Sequence, residues 1–306
     1  MWQKIIICGE SSRKKTDDMR KKPIIALIYD FDGTLSPGNM QEFGFIQAVG
    51  KTAQEFWRMS DNIAIGQDAS NVLSYMKLMY DEAKQSGIEL RKENFRRFGG
   101  EIALFKGVSQ WFGAVNEYGR SRSVVIEHDI NSSGLKEIIE GSSIASEFKH
   151  IFAGSFIYDD NGEAQWPGVA VDYTAKTQFL FKINKGIFSA RDNKLVNESI
   201  AEEKKRVPFT HMVYFGDGDT DVPCMKIVEM FGGHSIAVYN PDDSKKKKTA
   251  FKLKKQGRVS FALPADYSIN SETFEVIKAI IDKICADYSL QTLSAANTAV
   301  KKTKRK

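Results

Sequence analysis

Two short acidic runs carry the residues best able to do chemistry in this chain: Asp30-Phe31-Asp32-Gly33-Thr34-Leu35 and Phe215-Gly216-Asp217-Gly218-Asp219-Thr220-Asp221. In an extended chain alternate side chains share a face, so Asp30 and Asp32 point the same way while Phe31 turns towards a core. Two carboxylates held so close repel each other unless a cation or a shared proton intervenes, which anticipates a hard metal or an acid/base couple. No His or Cys cluster accompanies either run. The donor set is therefore all oxygen and suits Mg²⁺, which takes carboxylate, water and phosphate oxygens. Gly33 permits a tight turn whose amides can face an anion. Asn131-Ser132-Ser133-Gly134 adds hydroxyls and amides expected at a helix N-terminus, a ready cradle for phosphate. Taken singly, each acidic run reads equally as a polar turn, and Ser132 as a helix cap.

The elements that must position these residues are legible as apolar runs. Residues 23–29 are continuously apolar and β-rich, as in a central strand buried on both faces of a parallel sheet. Residues 123–126 and 211–215 start two more strands, each followed by a polar turn and a helical pattern such as Leu135-Lys136-Glu137-Ile138-Ile139. Strand, turn and helix repeated in this way predict an α/β fold, a doubly wound, Rossmann-like parallel sheet. Both acidic runs then stand at C-terminal strand ends, where such sheets present their ligand sites.

Residues 36–106 interrupt this pattern with helical spacing, Phe56, Met59, Ile63 and then Val72, Tyr75, Met76, Met79, and read as a separate helical module with its own apolar stripe. Asp159-Asp160-Asn161-Gly162 predicts a hairpin with a type I′ turn. The stretch 244–258 is Lys-rich, with Lys245 to Lys248 consecutive, and reads as a solvated face. Asp129 stands inside the second strand where an apolar residue is expected.

The resulting organisation is a basic N-terminal extension over 1–22, within which Met19 offers an alternative start, an α/β core over 23–35 and 107–290, the helical insertion over 36–106 and a basic tail over 291–306. The 306 residues carry a net charge of +5, but the last six alone hold five basic side chains, Lys301, Lys302, Lys304, Arg305 and Lys306. Residues 1–22 contribute seven basic and three acidic groups, which leaves 23–300 with a net −4. A slightly acidic body is a poor nucleic-acid footprint, so no nucleic-acid partner is expected. Three scattered cysteines form no pair for a disulfide framework or zinc site, and no run approaches the ~20 apolar residues of a membrane span. The expectation is a cytoplasmic protein with no membrane partner; oligomeric state is left open.

In the order of its motifs the chain resembles the haloacid dehalogenase superfamily, whose four motifs are matched by Asp30-Phe31-Asp32-Gly33-Thr34, Ser132, Lys176 and Gly216-Asp217-Gly218-Asp219-Thr220-Asp221. The likeness spans residues 23–285 and is nearest the phosphoserine phosphatase-like branch, which carries a helical cap between the first and second motifs. It departs at Gly33-Thr34, where that branch typically has Ser-Thr. The resemblance implies a phosphatase acting on a small phosphorylated metabolite, with Asp30 as nucleophile and Asp32 as general acid/base. It implies that Gly33, Thr34, Ser132, Ser133 and Lys176 bind the phosphoryl group, and that Asp30, Asp32, Asp217 and Asp221 bind Mg²⁺, Asp32 through its backbone carbonyl. Lys182 and Lys185 compete with Lys176 for the lysine role, but Lys176 opens the helical pattern before the third strand, whereas Lys185 adjoins a helix-ending Gly186. Asp32 argues against dehalogenation, which needs no acid there. Two alternatives stay open: a phosphotransferase or phosphomutase that passes the phosphoryl group from Asp30 to an alcohol, and a non-catalytic module that holds anions or nucleic acid through its basic segments.

Overall fold

A computed structural model of the chain describes residues 22–303. Among these, seven strands form one sheet in the order β4-β3-β2-β1-β5-β6-β7. They are β1 Ile24–Tyr29, β2 Val125–Leu135, β3 His150–Tyr158, β4 Ala164–Val169, β5 Met212–Gly216, β6 His234–Tyr239 and β7 Phe261–Pro264. All neighbours run parallel except β3 and β4, which form a hairpin. The chain winds outward from β1 through β2 to β3, then returns to β5 on the other side, so the topology reverses between β1 and β5. That reversal opens a crevice at the carboxyl ends of these two strands, where Asp30 and Asp217 stand. The doubly wound α/β expectation is met.

The insertion holds helices α1 Phe45–Ala48, α2 Ala53–Gln67, α3 Asn71–Gln85 and α4 Lys92–Gly99. The remaining helices are α5 Val108–Ser121, α6 Lys136–Glu140, α7 Tyr173–Lys185, α8 Asn193–Asn197, α9 Val222–Met230, α10 Ser244–Lys255 and α11 Glu272–Thr303. Successive β1 residues face opposite ways, which splits the core in two. Ile25, Leu27 and Tyr29 join α5 and α11 through Trp111, Phe112, Phe274 and Ile277, while Ala26 and Ile28 join α7, α9 and α10 through Leu180, Met225 and Leu253.

Several expectations need correction. The insertion does not bury a stripe of its own: Phe45, Phe56, Met76, Phe95 and Phe98 belong to the same cluster as Ile25 and Leu27. The Phe95 ring stacks on Phe156 of β3 at 5.7 Å. Helix α4 also meets the end of α6 so closely that a Cβ on Gly99 or Gly141 would overlap the opposite backbone. The hairpin turn is not type I′, because only Gly162 has a positive φ (77°). Asp159 Oδ1 instead accepts the amides of Asn161 and Glu163, both at 2.9 Å, and closes a longer loop. Strand β2 runs irregularly through Asn131-Ser132-Ser133-Gly134, so Ser132 lies within a strand end rather than at a helix N-terminus. Helix α11 crosses the boundary expected at 290 without a break. The N-terminal extension up to residue 21, and residues 304–306, lie outside the described residues. Asp129 is fully buried and its Oδ1 accepts from His150 Nδ1 at 2.8 Å, the polar partner that a carboxylate in mid-strand requires.

Candidate active site

Asp30 is the first residue beyond β1, and its amide donates to Phe215 O of β5 at 2.9 Å, so the neighbouring strand holds its backbone. Gly33 follows with φ +72°, a conformation that favours glycine, and a Cβ there would overlap the Asp217 carboxylate. The two acidic runs thus close on each other because this position has no side chain. Asp30, Asp217 and Asp221 bring carboxylate oxygens within 4.8 Å of one another.

Beneath them lies Lys176 of α7, fully buried, with Nζ 2.9 Å from Asp30 Oδ1 and 2.7 Å from Asp221 Oδ1. Its rivals are engaged elsewhere: Lys182 Nζ donates to the carbonyls of Ser189 and Ala190, and Lys185 Nζ to those of Val196 and Glu198. Asp221 is itself held by the Tyr214 hydroxyl at 2.9 Å and the Gly218 amide at 3.3 Å. Asn131 anchors α7 by donating from Nδ2 to Lys176 O at 3.0 Å. Burial opposes the charge on Lys176, but Asp221 and Asp30 outweigh it and keep the ammonium protonated.

Asp32 sits at the edge of the cluster, its Oδ1 accepting from the Met40 amide at 2.9 Å. Burial, and then the charge of Asp30, hold its carboxyl well above the usual carboxylate range. Asp30 is pushed up to about 7, first by burial and then by Asp221, against the opposing pull of Lys176. Asp217 is raised too, by burial, with Lys246 working the other way. Lys246 of α10 donates to Asp217 Oδ2 at 2.6 Å.

The cluster forms the floor of a cavity of about 570 Å³. Ser132, Ser133 and Gly134 line one side, and Gln41, Glu42, Trp57, Ser60 and Tyr75 of the insertion close the other. Tyr75 ties the two together, its hydroxyl donating to Ser133 O at 2.7 Å. Of the expected phosphate-binding residues, Gly33, Ser132 and Ser133 line the cavity. Ser133 Oγ has no partner among the described residues, whereas Ser132 Oγ accepts from the Gly134 amide at 3.0 Å. Lys176 reaches the site from below. Thr34 is not brought to it: the residue is fully buried, its amide donates to Phe31 O and its carbonyl accepts from Tyr267.

The donors fit a hard divalent cation. Four carboxylates, Asp30, Asp32, Asp217 and Asp221, face two ammonium groups, Lys176 and Lys246, leaving an excess of two negative charges in a largely buried space. Burial raises the pKa of Asp30 and Asp32 first, and the neighbouring carboxylates raise it further.

Lys246 was hidden from sequence reasoning by its run of lysines. Its signal was helical phase: Lys246, Ala250 and Leu253 are spaced i, i+4, i+7 on α10, and the latter two are buried. Tyr214, the support of Asp221, reads in sequence only as a strand residue.

Fold and site now meet one family. The profile of the haloacid dehalogenase-like hydrolases matches residues 27–226, and the chain belongs to that family. An uncharacterized protein of Borreliella burgdorferi is 28% identical over 292 residues, covering 87% of this chain and 98% of its own. Solved structures with the same fold include a substrate-bound phosphoserine phosphatase complex, with a TM-score of 0.50 at 16% identity over 79% of this chain and 93% of that one. A probable phosphoserine phosphatase from Vibrio cholerae gives 0.54 at 12% identity over 87% and 67%. A HAD family hydrolase from Salmonella enterica serovar Typhi gives 0.52 at 14% identity over 82% and 73%. Among the described residues no helix is long and apolar enough to cross a membrane.

Proposed function

We propose that this hydrolase is a phosphatase that cleaves a small phosphate monoester through an aspartyl-phosphate on Asp30. The observation that carries the reading is Asp30 itself: a carboxylate on the floor of a cavity, one oxygen fixed by a buried lysine at 2.9 Å. Two of the structural neighbours are phosphoserine phosphatases in function or by likeness, which supports phosphate monoesters as the class.

With Oδ1 held by Lys176, Asp30 attacks phosphorus through its other oxygen, and the bond from phosphorus to the ester oxygen breaks. The departing oxygen takes its proton from Asp32, whose raised pKa keeps that proton in place until it is needed. Asp32, now ionised, accepts a proton from water as the water oxygen attacks the phosphorus of aspartyl-phosphate. Inorganic phosphate leaves and Asp30 is restored. Splitting the hydrolysis in two lowers each barrier. Lys176 and the amides around Gly33 and Ser132 offset charge on the phosphoryl oxygens, the main demand of phosphoryl transfer. Asp30, Asp217 and Asp221, with the Asp32 carbonyl, would hold Mg²⁺, which when bound supplies further positive charge against those oxygens. Turnover would take place in the cytoplasm, in keeping with Cys224 and Cys285 as free thiols.

Hydrolysis of p-nitrophenyl phosphate tests the reading. Activity should require Mg²⁺ and vanish in excess EDTA, and Asp30→Asn should lower kcat by several orders of magnitude, as loss of such a nucleophile does, with an unchanged circular dichroism spectrum. Full activity in EDTA would remove the metal from the account, and an active Asp30→Asn enzyme would remove the nucleophile.

A further inference from the structure

The Lys245–Lys248 run looks uniform in sequence, but one of its members is set apart by the fold. Asp243 caps α10, its Oδ1 accepting the amides of Lys245 at 2.8 Å and Lys246 at 3.1 Å. This fixes the helix start and turns Lys246 onto the stripe of Ala250 and Leu253, towards the catalytic cavity that it lines. We propose that Lys246 is a second working lysine of this site. It holds Asp217 while no divalent cation is bound, yields that carboxylate as the cation enters, and then binds the phosphoryl oxygens of the substrate.

The two partners differ in their freedom. The Asp217 side chain is 10% exposed and seated against Gly33, whereas that of Lys246 is 48% exposed. When the contact breaks, the lysine is the partner that moves. An ammonium on Asp217 and a dication on the same carboxylate repel each other across a few ångströms, so the two compete for its negative charge. The released ammonium stays in a cavity shared with Asp30, Ser132 and Ser133, where a phosphoryl group is the natural anion to meet. Lys176, fully buried between Asp30 and Asp221, has no such freedom. The two lysines thus divide the work: Lys176 fixes the floor, and Lys246 answers the charge that arrives. The last step rests on the phosphatase reading; the exchange with the cation does not.

Calorimetric titration of the 306-residue chain separates these claims without turnover. Mg²⁺ should bind Lys246→Gln and Lys246→Met about fivefold more tightly than wild type, the worth of a half-exposed ion pair no longer to be broken. Inorganic phosphate, titrated into the Mg²⁺-loaded proteins, should bind the same variants about fivefold more weakly, the loss of one charge-assisted contact. Lys248→Gln, which removes an equal charge from an exposed site on the same helix, should do neither. Mg²⁺ binding that is unchanged or weaker in the Lys246 variants would overturn the competition, and unchanged phosphate binding would overturn the second role. If wild type failed to hydrolyse any phosphate ester, the phosphatase reading would fall while the Mg²⁺ titration still judged the exchange.

Discussion

At the scale of single residues the account turns on which carboxylate does what. Asp30 and Asp32 are two residues apart, yet Asp30 is engaged by Lys176 while Asp32 is met by a backbone amide at 2.9 Å and is held well above the usual carboxylate range by burial. Asp32→Asn should therefore lower hydrolysis of an alkyl phosphate, whose leaving oxygen needs a proton, by about 10²–10⁴-fold, the usual worth of a general acid. Hydrolysis of p-nitrophenyl phosphate, whose leaving group departs as a stable anion, should suffer much less in its first step. Equal losses on both esters in the rate of the first turnover, read by rapid quench, would contradict the acid role. The aspartates were legible because residue type, spacing and position after an apolar strand all agree. Lys176 was legible from its place at the start of a helix. Thr34 came from motif likeness, and it is buried and does not line the cavity. Lys246 was missed because four consecutive lysines mask a single one that shares the buried stripe.

At the scale of elements the insertion was recognised from its helical spacing, but its dependence on the core was not foreseeable. A periodic apolar stripe says that a helix is covered, not by what. Here the cover is the core itself, through Phe95 on Phe156, α4 on α6, and Met40 tight against Gly134. Uncovering even three or four large side chains costs about 1.5–3 kcal/mol each, comparable with the whole stability of a typical domain, about 5–15 kcal/mol. Replacing residues 36–106 by a short linker should accordingly abolish cooperative thermal unfolding. A variant that still melts in one sharp transition by calorimetry would restore the picture of a separable module. The hairpin teaches a related lesson. Asn161-Gly162 promised a two-residue turn, but Asp159 organises the loop through its own carboxylate, and side-chain to backbone bonds of this kind override dipeptide preference.

For the molecule as a whole, stability is linked to pH through a buried histidine outside the catalytic cavity. His128 of β2 is buried beside Tyr29 and Phe112, its Nδ1 3.0 Å from the Tyr29 hydroxyl, which already accepts from Trp111 Nε1 at 2.9 Å. Asn116 Oδ1, an acceptor 3.3 Å from Nε2, takes the proton of that nitrogen, which leaves Nδ1 of the neutral imidazole to accept from the Tyr29 hydroxyl. Burial lowers its pKa to about 3. A depressed histidine contributes stability that is fully present above the unfolded-state pKa, near 6.5, and is lost as pH falls towards 3. Other buried groups titrate as well, so the informative quantity is a difference. Between pH 6 and 4, wild type should lose about 1 kcal/mol per pH unit more than His128→Gln in urea titrations, one proton's linkage being at most about 1.4 kcal/mol per unit. Parallel curves would contradict the assignment. The central claim, that Asp30 becomes phosphorylated, is tested most directly by acid-quenching the enzyme during turnover of a phosphate ester with Mg²⁺ and mapping the modified peptide by mass spectrometry. The account predicts one added phosphoryl group on Asp30 of the wild type and none on Asp30→Asn. A turning-over enzyme with no such adduct under rapid quench, or with the adduct on another residue, would contradict it.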